Sequence, residues 1–264
     1  MKFMSNNPGR CTFVKRAVTG VRAAVVACLL AGVPALAAGE EIERRYQGFT
    51  LWIDCERKAA IRFYYHLGRD VGSVKRDYAY YDDPEFDQAC QQTSTESYNE
   101  NSNVNHHDRG HLVPFNHMDD SLIASHQTNY MTNILPQAKD MNKGAWKHTE
   151  EITECFREFD DLDIYGGPIW GGNDAHLKEH SVDVPEAFWK VIIRSDDTIA
   201  WRIPNKNMES VGFKHLNEYL VSIDEIEQDI DYVIPINEKW KTKVPEKSWD
   251  VRVCDDKGLH GWRG

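Results

Sequence analysis

Asn105-His106-His107-Asp108-Arg109-Gly110-His111-Leu112-Val113-Pro114 gathers three histidines, an aspartate and an arginine around one glycine, just before a proline. An ordinary surface loop of that length does not concentrate so many titratable groups. A second polar cluster follows some thirty residues on, as Asn133-Ile134-Leu135-Pro136-Gln137, Asp140-Met141-Asn142-Lys143-Gly144-Ala145-Trp146 and Glu150. The two clusters are expected to form one site, with the rest of the chain as its support.

Residues 49–53 and 60–67 read as strands, joined by the turn-like 54–58 into a hairpin at one edge of a sheet. The preceding segment, 39–50, reads as a polar lead-in. Residues 72–103 form a long polar and aromatic loop, a kind of segment often kept for function. Residues 112–114 read as a short extended piece, because the residue before a proline is biased toward β. A helix is expected over 119–132, capped by Asp119 or Asp120, and a loop containing Pro136 over 133–140. The clearest helix is 143–159, where Ala145, Trp146, Ile152, Cys155, Phe156 and Phe159 recur at helical spacing. Residues 163–170 read as a strand with a break. Residues 187–193 and 198–204 pair as a hairpin around Asp196-Asp197. Loop and helix fill 208–220, a short helix capped by Ser222 or Asp224 covers 222–229, and the tail is irregular. Strands before and after a central helical segment, joined by hairpins, make an α+β single domain with an antiparallel central sheet.

The first 22 residues carry Lys2, Arg10, Lys15, Arg16 and Arg22 and no acid; an apolar run then ends in Pro34-Ala35-Leu36-Ala37-Ala38. That is the pattern of a secretory signal peptide over 1–38, too short for a membrane span. A mitochondrial presequence and a lipoprotein signal ending at Cys28 are the alternatives. Four cysteines then remain, Cys55, Cys90, Cys155 and Cys254, none in C-x-x-C spacing. An even number in an exported chain predicts two disulfides, with all three connectivities open; four buried thiols are the alternative. The chain has 31 Lys+Arg and 42 Asp+Glu. Without the five leader cations, 26 face 42, a charge near −16. Long-range attraction to nucleic acid is therefore poor, and phosphate contacts need a local arginine patch and a cation.

His111, beside a carboxylate and an arginine, is a candidate general base. His106 and His107 with His111 raise zinc as an alternative, but no His-Glu-x-x-His is present. Asn142 offers an uncharged hard oxygen that suits Mg²⁺, which keeps most of its waters; as an ordinary residue it would cap the best helix. Glu150 lies about 80° round and roughly 12 Å along an ideal helix from Asn142, which suits a role through water and not a shared inner shell. Arg109 alternates with His111, so an extended chain points both to one face, where a guanidinium would hold phosphorane charge. Arg76 is a second candidate clamp.

Asp108-Arg109-Gly110-His111, Asn133-x-x-Pro136-Gln137 and Asn142-x-Gly144-Ala145-Trp146-x-x-x-Glu150 together resemble the sugar-non-specific DNA/RNA endonucleases of the ββα-metal (His-Me finger) class. Tyr165-Gly166-Gly167-Pro168, Val184-Pro185-x-Ala187-Phe188-Trp189-Lys190-Val191 and Ser222-Ile223-Asp224-Glu225-Ile226-Glu227 extend the likeness, in order, over about residues 46–232. The resemblance implies an endonuclease domain over 39–264 with a ββα-metal motif. It also implies Mg²⁺-dependent hydrolysis of DNA and RNA to 5′-phosphate ends, with Mn²⁺ as a substitute ion. By the same likeness His111 is the base and Asn142 the direct metal ligand. Glu150 holds a metal-bound water, Arg109 and Arg76 contact phosphate, and Asn133 and Gln137 line the site. Contacts to backbone phosphate would explain weak sequence selectivity. Two other readings stay open: a non-catalytic nucleic-acid-binding protein on this fold, and a metal phosphodiesterase for a small substrate. The sequence leaves oligomeric state open, a homodimer included.

Overall fold

Phe49, Leu51 and Ile53 are buried while Thr50, Trp52 and Asp54 are half-buried, the period-two pattern of a strand with one well-covered face. That strand belongs to a computed structural model that describes residues 41–98, 107–172, 176–177, 182–195, 197–207 and 212–259. The expected leader, His106 and Asp196 lie outside the described residues.

The strands are β1 (Glu41–Arg45), β2 (Phe49–Asp54), β3 (Ala59–Leu67), β4 (His107–His111), β5 (Ile134–Ala138), β6 (Leu162–Ile169), β7 (His176–Leu177), β8 (Val182–Asp183), β9 (Ala187–Arg194) and β10 (Asp197–Pro204). Six of them make one antiparallel sheet in the order β1-β2-β3-β6-β9-β10. The α+β class and the antiparallel central sheet are as expected. The lead-in is not: Glu41–Arg45 pairs with β2 as an edge strand, and Arg62 of β3 bonds the Glu41 carboxylate. Charged residues keep such an edge from recruiting another chain. The expected break in 163–170 is also absent. Gly166 and Gly167 sit inside β6 because a Cβ at Gly166 would meet the Phe63 ring at 2.2 Å, and one at Gly167 the Ile61 carbonyl oxygen at 2.6 Å.

The sheet is covered on both faces. On β9, Phe188 and Ile192 belong to the core that contains Trp146, Ile152 and Cys155, while Trp189 and Val191 pack with Ile223 and Ile226. The latter two come from the helix Ile223–Asp229, where Ser222 and Glu225 form a capping box.

Between β3 and β6, residues 68–161 leave the sheet and return to the strand beside the one they left. This excursion carries nearly the whole candidate site. Strands β4 and β5 pair antiparallel, with Arg109 opposite Pro136 and His111 opposite Ile134. The extended piece is therefore 107–111 and not 112–114, and 134–138 is a strand and not a loop. Proline is tolerated there because the ribbon has only two strands, both of them edges. Helix α1 (Leu122–Gln127) is shorter than expected and is capped by Ser121, whose hydroxyl accepts from the Ala124 amide, and not by Asp119 or Asp120.

The long helix is also revised. It runs as α2 (Lys139–Met141), a π-helical turn (Asn142–Trp146) and α3 (Lys147–Phe156), leaving Phe159 beyond its end. Asn142 lies inside a continuous helical run and not at a cap. The wider π turn acts as one inserted residue. Eight positions then advance the phase of roughly seven, so Asn142 and Glu150 fall within about 20° of one another on the helix surface.

The Sγ atoms of Cys55 and Cys90 lie 1.94 Å apart, and those of Cys155 and Cys254 lie 1.92 Å apart, which selects one of the three pairings. Among the described residues, no helix is long and apolar enough to cross a membrane.

Candidate active site

Alternation along β4 turns His107, Arg109 and His111 toward one open cavity of about 470 Å³, which Arg76, Asn142 and Glu150 also line. Gly110 sits between them because Gln137 of the paired strand packs over it; a Cβ at 110 would lie 2.2 Å from the Gln137 side chain. The glycine of the opening stretch is therefore a packing requirement of the two-stranded ribbon.

His111 Nε2 lies 3.0 Å from Asn129 Oδ1. Asn129 Nδ2 donates to the Asp77 carbonyl at 3.2 Å, which fixes the orientation of the amide. An acceptor oxygen facing Nε2 requires the proton on Nε2, so the lone pair of the neutral ring sits on Nδ1. Burial, opposed by the Asn129 bond and aided by the Arg76 and Arg109 charges, brings the imidazole down to about 4. His111 is therefore neutral near pH 7, the form a base needs. Its carbonyl accepts from Trp146 Nε1 at 3.2 Å, which ties the end of β4 to the π turn.

Asn142 Nδ2 donates to Asp108 Oδ2 at 3.0 Å. A carboxylate only accepts, so the amide cannot be reversed, and Oδ1 is the oxygen left free of that bond to Asp108. Lys143 Nζ is 3.5 Å from the same carboxylate oxygen. Glu150 lies on the same helix face as Asn142. Burial raises its carboxyl, against the pull of Lys190 and then Arg76.

Arg109 lies over the Tyr80 ring at 4.8 Å, and Tyr80 is 5.7 Å from the His111 ring. The exposed cations Arg76, Arg109 and Lys143 thus line the cavity together with Asp108 and Glu150, three positive groups beside two carboxylates on an acidic chain.

Among the described residues, no group of three His, Cys, Asp or Glu side chains could hold a metal ion. Among the described residues no all-protein cage is therefore built, and His106, the third histidine of the zinc alternative, lies outside them. One oriented amide oxygen and a nearby carboxylate in an open cavity do fit a hard divalent cation that retains its waters.

Two expected lining residues are placed elsewhere. Asn133 is fully buried; its Oδ1 accepts from the Val113 amide at 3.0 Å, and its Nδ2 donates to the carbonyls of Val113 (2.9 Å) and Thr128 (2.8 Å). It holds the chain that follows His111. Gln137 is also fully buried, beneath Gly110. Neither lines the cavity. Asn129 and Tyr80 have the opposite history: both touch His111 and neither stood out in the sequence, although Tyr80 lies in the long loop marked for function.

Residues 33–243 match the family model described as DNA/RNA non-specific endonuclease. The chain belongs to that family. It is 30% identical over 217 residues to the mouse (Mus musculus) mitochondrial nuclease EXOG, covering 72% of this chain and 56% of that protein. It is 27% identical over 139 residues to the nuclease of Serratia marcescens, covering 48% of this chain and 50% of that one. The match thus spans about half the length of these relatives. A crystal structure of an EndoG/EndoGI complex superposes with a TM-score of 0.64 at 18% identity, covering 76% of this chain and 89% of that one, a likeness of fold. The six ordered motifs of the sequence all fall within residues 33–243, the span that the family model matches.

Proposed function

We propose that this family member is a divalent-metal-dependent endonuclease that hydrolyses DNA and RNA without base selection and leaves 5′-phosphate ends. The observation that carries the reading is His111 itself: a neutral imidazole with its tautomer set by Asn129, beside two arginines, in the cavity that also holds Asn142 and Glu150.

In this mechanism His111 Nδ1 takes a proton from water as the water oxygen attacks phosphorus. The P–O bond to the 3′ oxygen breaks, so the phosphate stays on the 5′ side. Arg109 and Arg76 hold the phosphate oxygens as charge builds. Their engagement has a second effect. Both guanidinium charges hold the His111 imidazole down, and a bound phosphate neutralises them. Substrate binding therefore makes His111 a stronger base. Asn142 would hold the cation, with Asp108 fixing its amide and Glu150 beside it. Mg²⁺, with Mn²⁺ as a substitute, would polarise the phosphate and stabilise the leaving oxygen.

Contacts confined to backbone phosphate account for indifference to sequence. The rim cations Arg76, Arg109 and Lys143 answer the problem set by net charge near −16: attraction is local to the cavity. The same reading takes the leader over 1–38 as an export signal, with a mitochondrial address as the alternative, and the two cysteine pairs as disulfides.

The test is incubation of the protein with plasmid DNA and with RNA, in Mg²⁺ and in chelator. Cleavage of both polymers in Mg²⁺ alone is the expected result, and no metal-dependent cleavage of either would refute the reading. N-terminal sequencing of the exported protein reports the leader. Alkylation before and after reduction counts the disulfides, with two expected.

A further inference from the structure

Lys190 is a charge in the middle of the apolar run Ala187-Phe188-Trp189-Lys190-Val191, on β9 of the central sheet. It is wholly buried, and its ammonium has no hydrogen-bond partner among the described residues. A buried amine without a counter-charge is costly, and the usual outcome is neutralisation or pairing. Alternation puts it on the sheet face of Phe188 and Ile192, which packs against the long helix. Its Nζ lies 3.8 Å from the centre of the Trp146 ring. Glu150 follows Trp146 by four positions, so the two side chains lie one above the other on the helix face that meets β9. The ammonium therefore sits against the aromatic face with the Glu150 carboxylate one turn along.

The geometry points to Lys190 as a positioning residue: a buried cation, seated on the Trp146 ring one helical turn from Glu150, that holds the Glu150 side chain in place in the active-site cavity. This rests on the reading of Glu150 as part of a nuclease centre. Arg76, Arg109 and Lys143 line the cavity and are drawn to substrate phosphate when it binds. Lys190 reaches neither solvent nor substrate, so its compensation does not change through a catalytic cycle. The other charged and titratable groups that face Glu150 are Lys147, Glu151 and Glu154 on its own helix, Arg76 from the loop, Tyr65 from β3, and His117, which faces its backbone. Burial drives Glu150 and Lys190 each toward its neutral form, and each pulls the other back toward the charged one.

The experiment is a double-mutant cycle on the full chain with K190M, E150Q and K190M/E150Q, read by denaturant unfolding at pH 7.5 and by the pH–rate profile in Mg²⁺. Each single variant strands one buried charge or its partner. The double variant should be at least tenfold more favourable in its unfolding constant than the two singles predict by addition. In K190M the acid limb of the profile should move up by about one pH unit or more. In the E150Q background, K190M should change the rate no further. Additive stabilities, or a K190M profile lowered uniformly without displacement, would overturn the proposal and leave Lys190 a packing residue on Trp146. If K190M does not fold, the double variant must fold; its failure overturns the pairing equally. A wild type that cleaves nothing would refute the nuclease reading and still leave the unfolding cycle to decide the pair.

Discussion

Asp108 offers the most informative perturbation of the metal side of the site. Its carboxylate accepts the Asn142 amide at 3.0 Å and stands 3.5 Å from Lys143 Nζ. A hydrogen bond to a charged acceptor is worth about 1.5–3 kcal/mol. At 1.4 kcal/mol per decade, its loss lets the Asn142 amide turn and weakens ion binding about 10- to 100-fold, the range typical of residues that orient a ligand. D108A should therefore raise the Mg²⁺ concentration for half-maximal cleavage by that factor, with activity returning at high Mg²⁺. D108N, which still offers a neutral acceptor, should fall between. The same change frees Lys143 and removes a negative charge from the rim, so the KM for DNA should stay level or fall. The assay is plasmid nicking across a magnesium titration at fixed DNA, then across DNA at saturating magnesium. An unchanged magnesium requirement in D108A, or a loss confined to the KM for DNA, would refute the orientation argument.

Two further predictions concern the scaffold. G110A should destabilise the chain by about 1–3 kcal/mol through overpacking, because its methyl would meet Gln137 at 2.2 Å; adding Q137A should recover part of this in urea unfolding, and no recovery would mean that the strain lies elsewhere. Glu154 is buried, with Oε1 3.2 Å from His117 Nε2, and burial raises its carboxyl to about 8 against the pull of Arg157. A raised folded value means that its contribution is fully present below the unfolded value near 4.5 and is lost as pH rises through about 8. Between those limits wild type should lose stability relative to E154Q by up to about 1.4 kcal/mol per pH unit. Urea unfolding of both at pH 5 and pH 9 checks this, and a difference independent of pH would sink it.

The strands that alternate cleanly were legible in the sequence, as were the β9–β10 hairpin and the Ser222 cap. What escaped has physical causes. Glu41–Arg45 looks polar because an edge strand keeps its charges. Ile134–Ala138 was hidden by Pro136, which a two-stranded ribbon tolerates. The π turn leaves the apolar spacing of Ala145, Trp146 and Ile152 nearly intact while rotating Asn142 onto the face of Glu150, so no count of residues reveals it.

In the site, the cluster of charges around His111 and its alternation with Arg109 were legible, although the strand that carries them, His107–His111, was expected just after them, over 112–114. Asn133 and Gln137 were not, because a polar motif does not tell which way its side chains turn; both are spent inside the protein. Asn129 comes from the turn after α1, where no periodicity points to the histidine it orients. Lys190 did leave a mark, as a lone charge in an apolar run, but the meaning of that mark depends on the Trp146 ring beneath it.

The central claim is that His111, held neutral with its lone pair on Nδ1, is the base that drives phosphodiester hydrolysis in this cavity. The single-turnover rate of H111A against wild type on plasmid DNA at saturating Mg²⁺ tests it most directly. Loss of the base should lower the rate about 10²- to 10⁴-fold while DNA affinity, assigned in the proposed mechanism to Arg76 and Arg109, should change little. A variant that cleaves as fast as wild type would contradict the account.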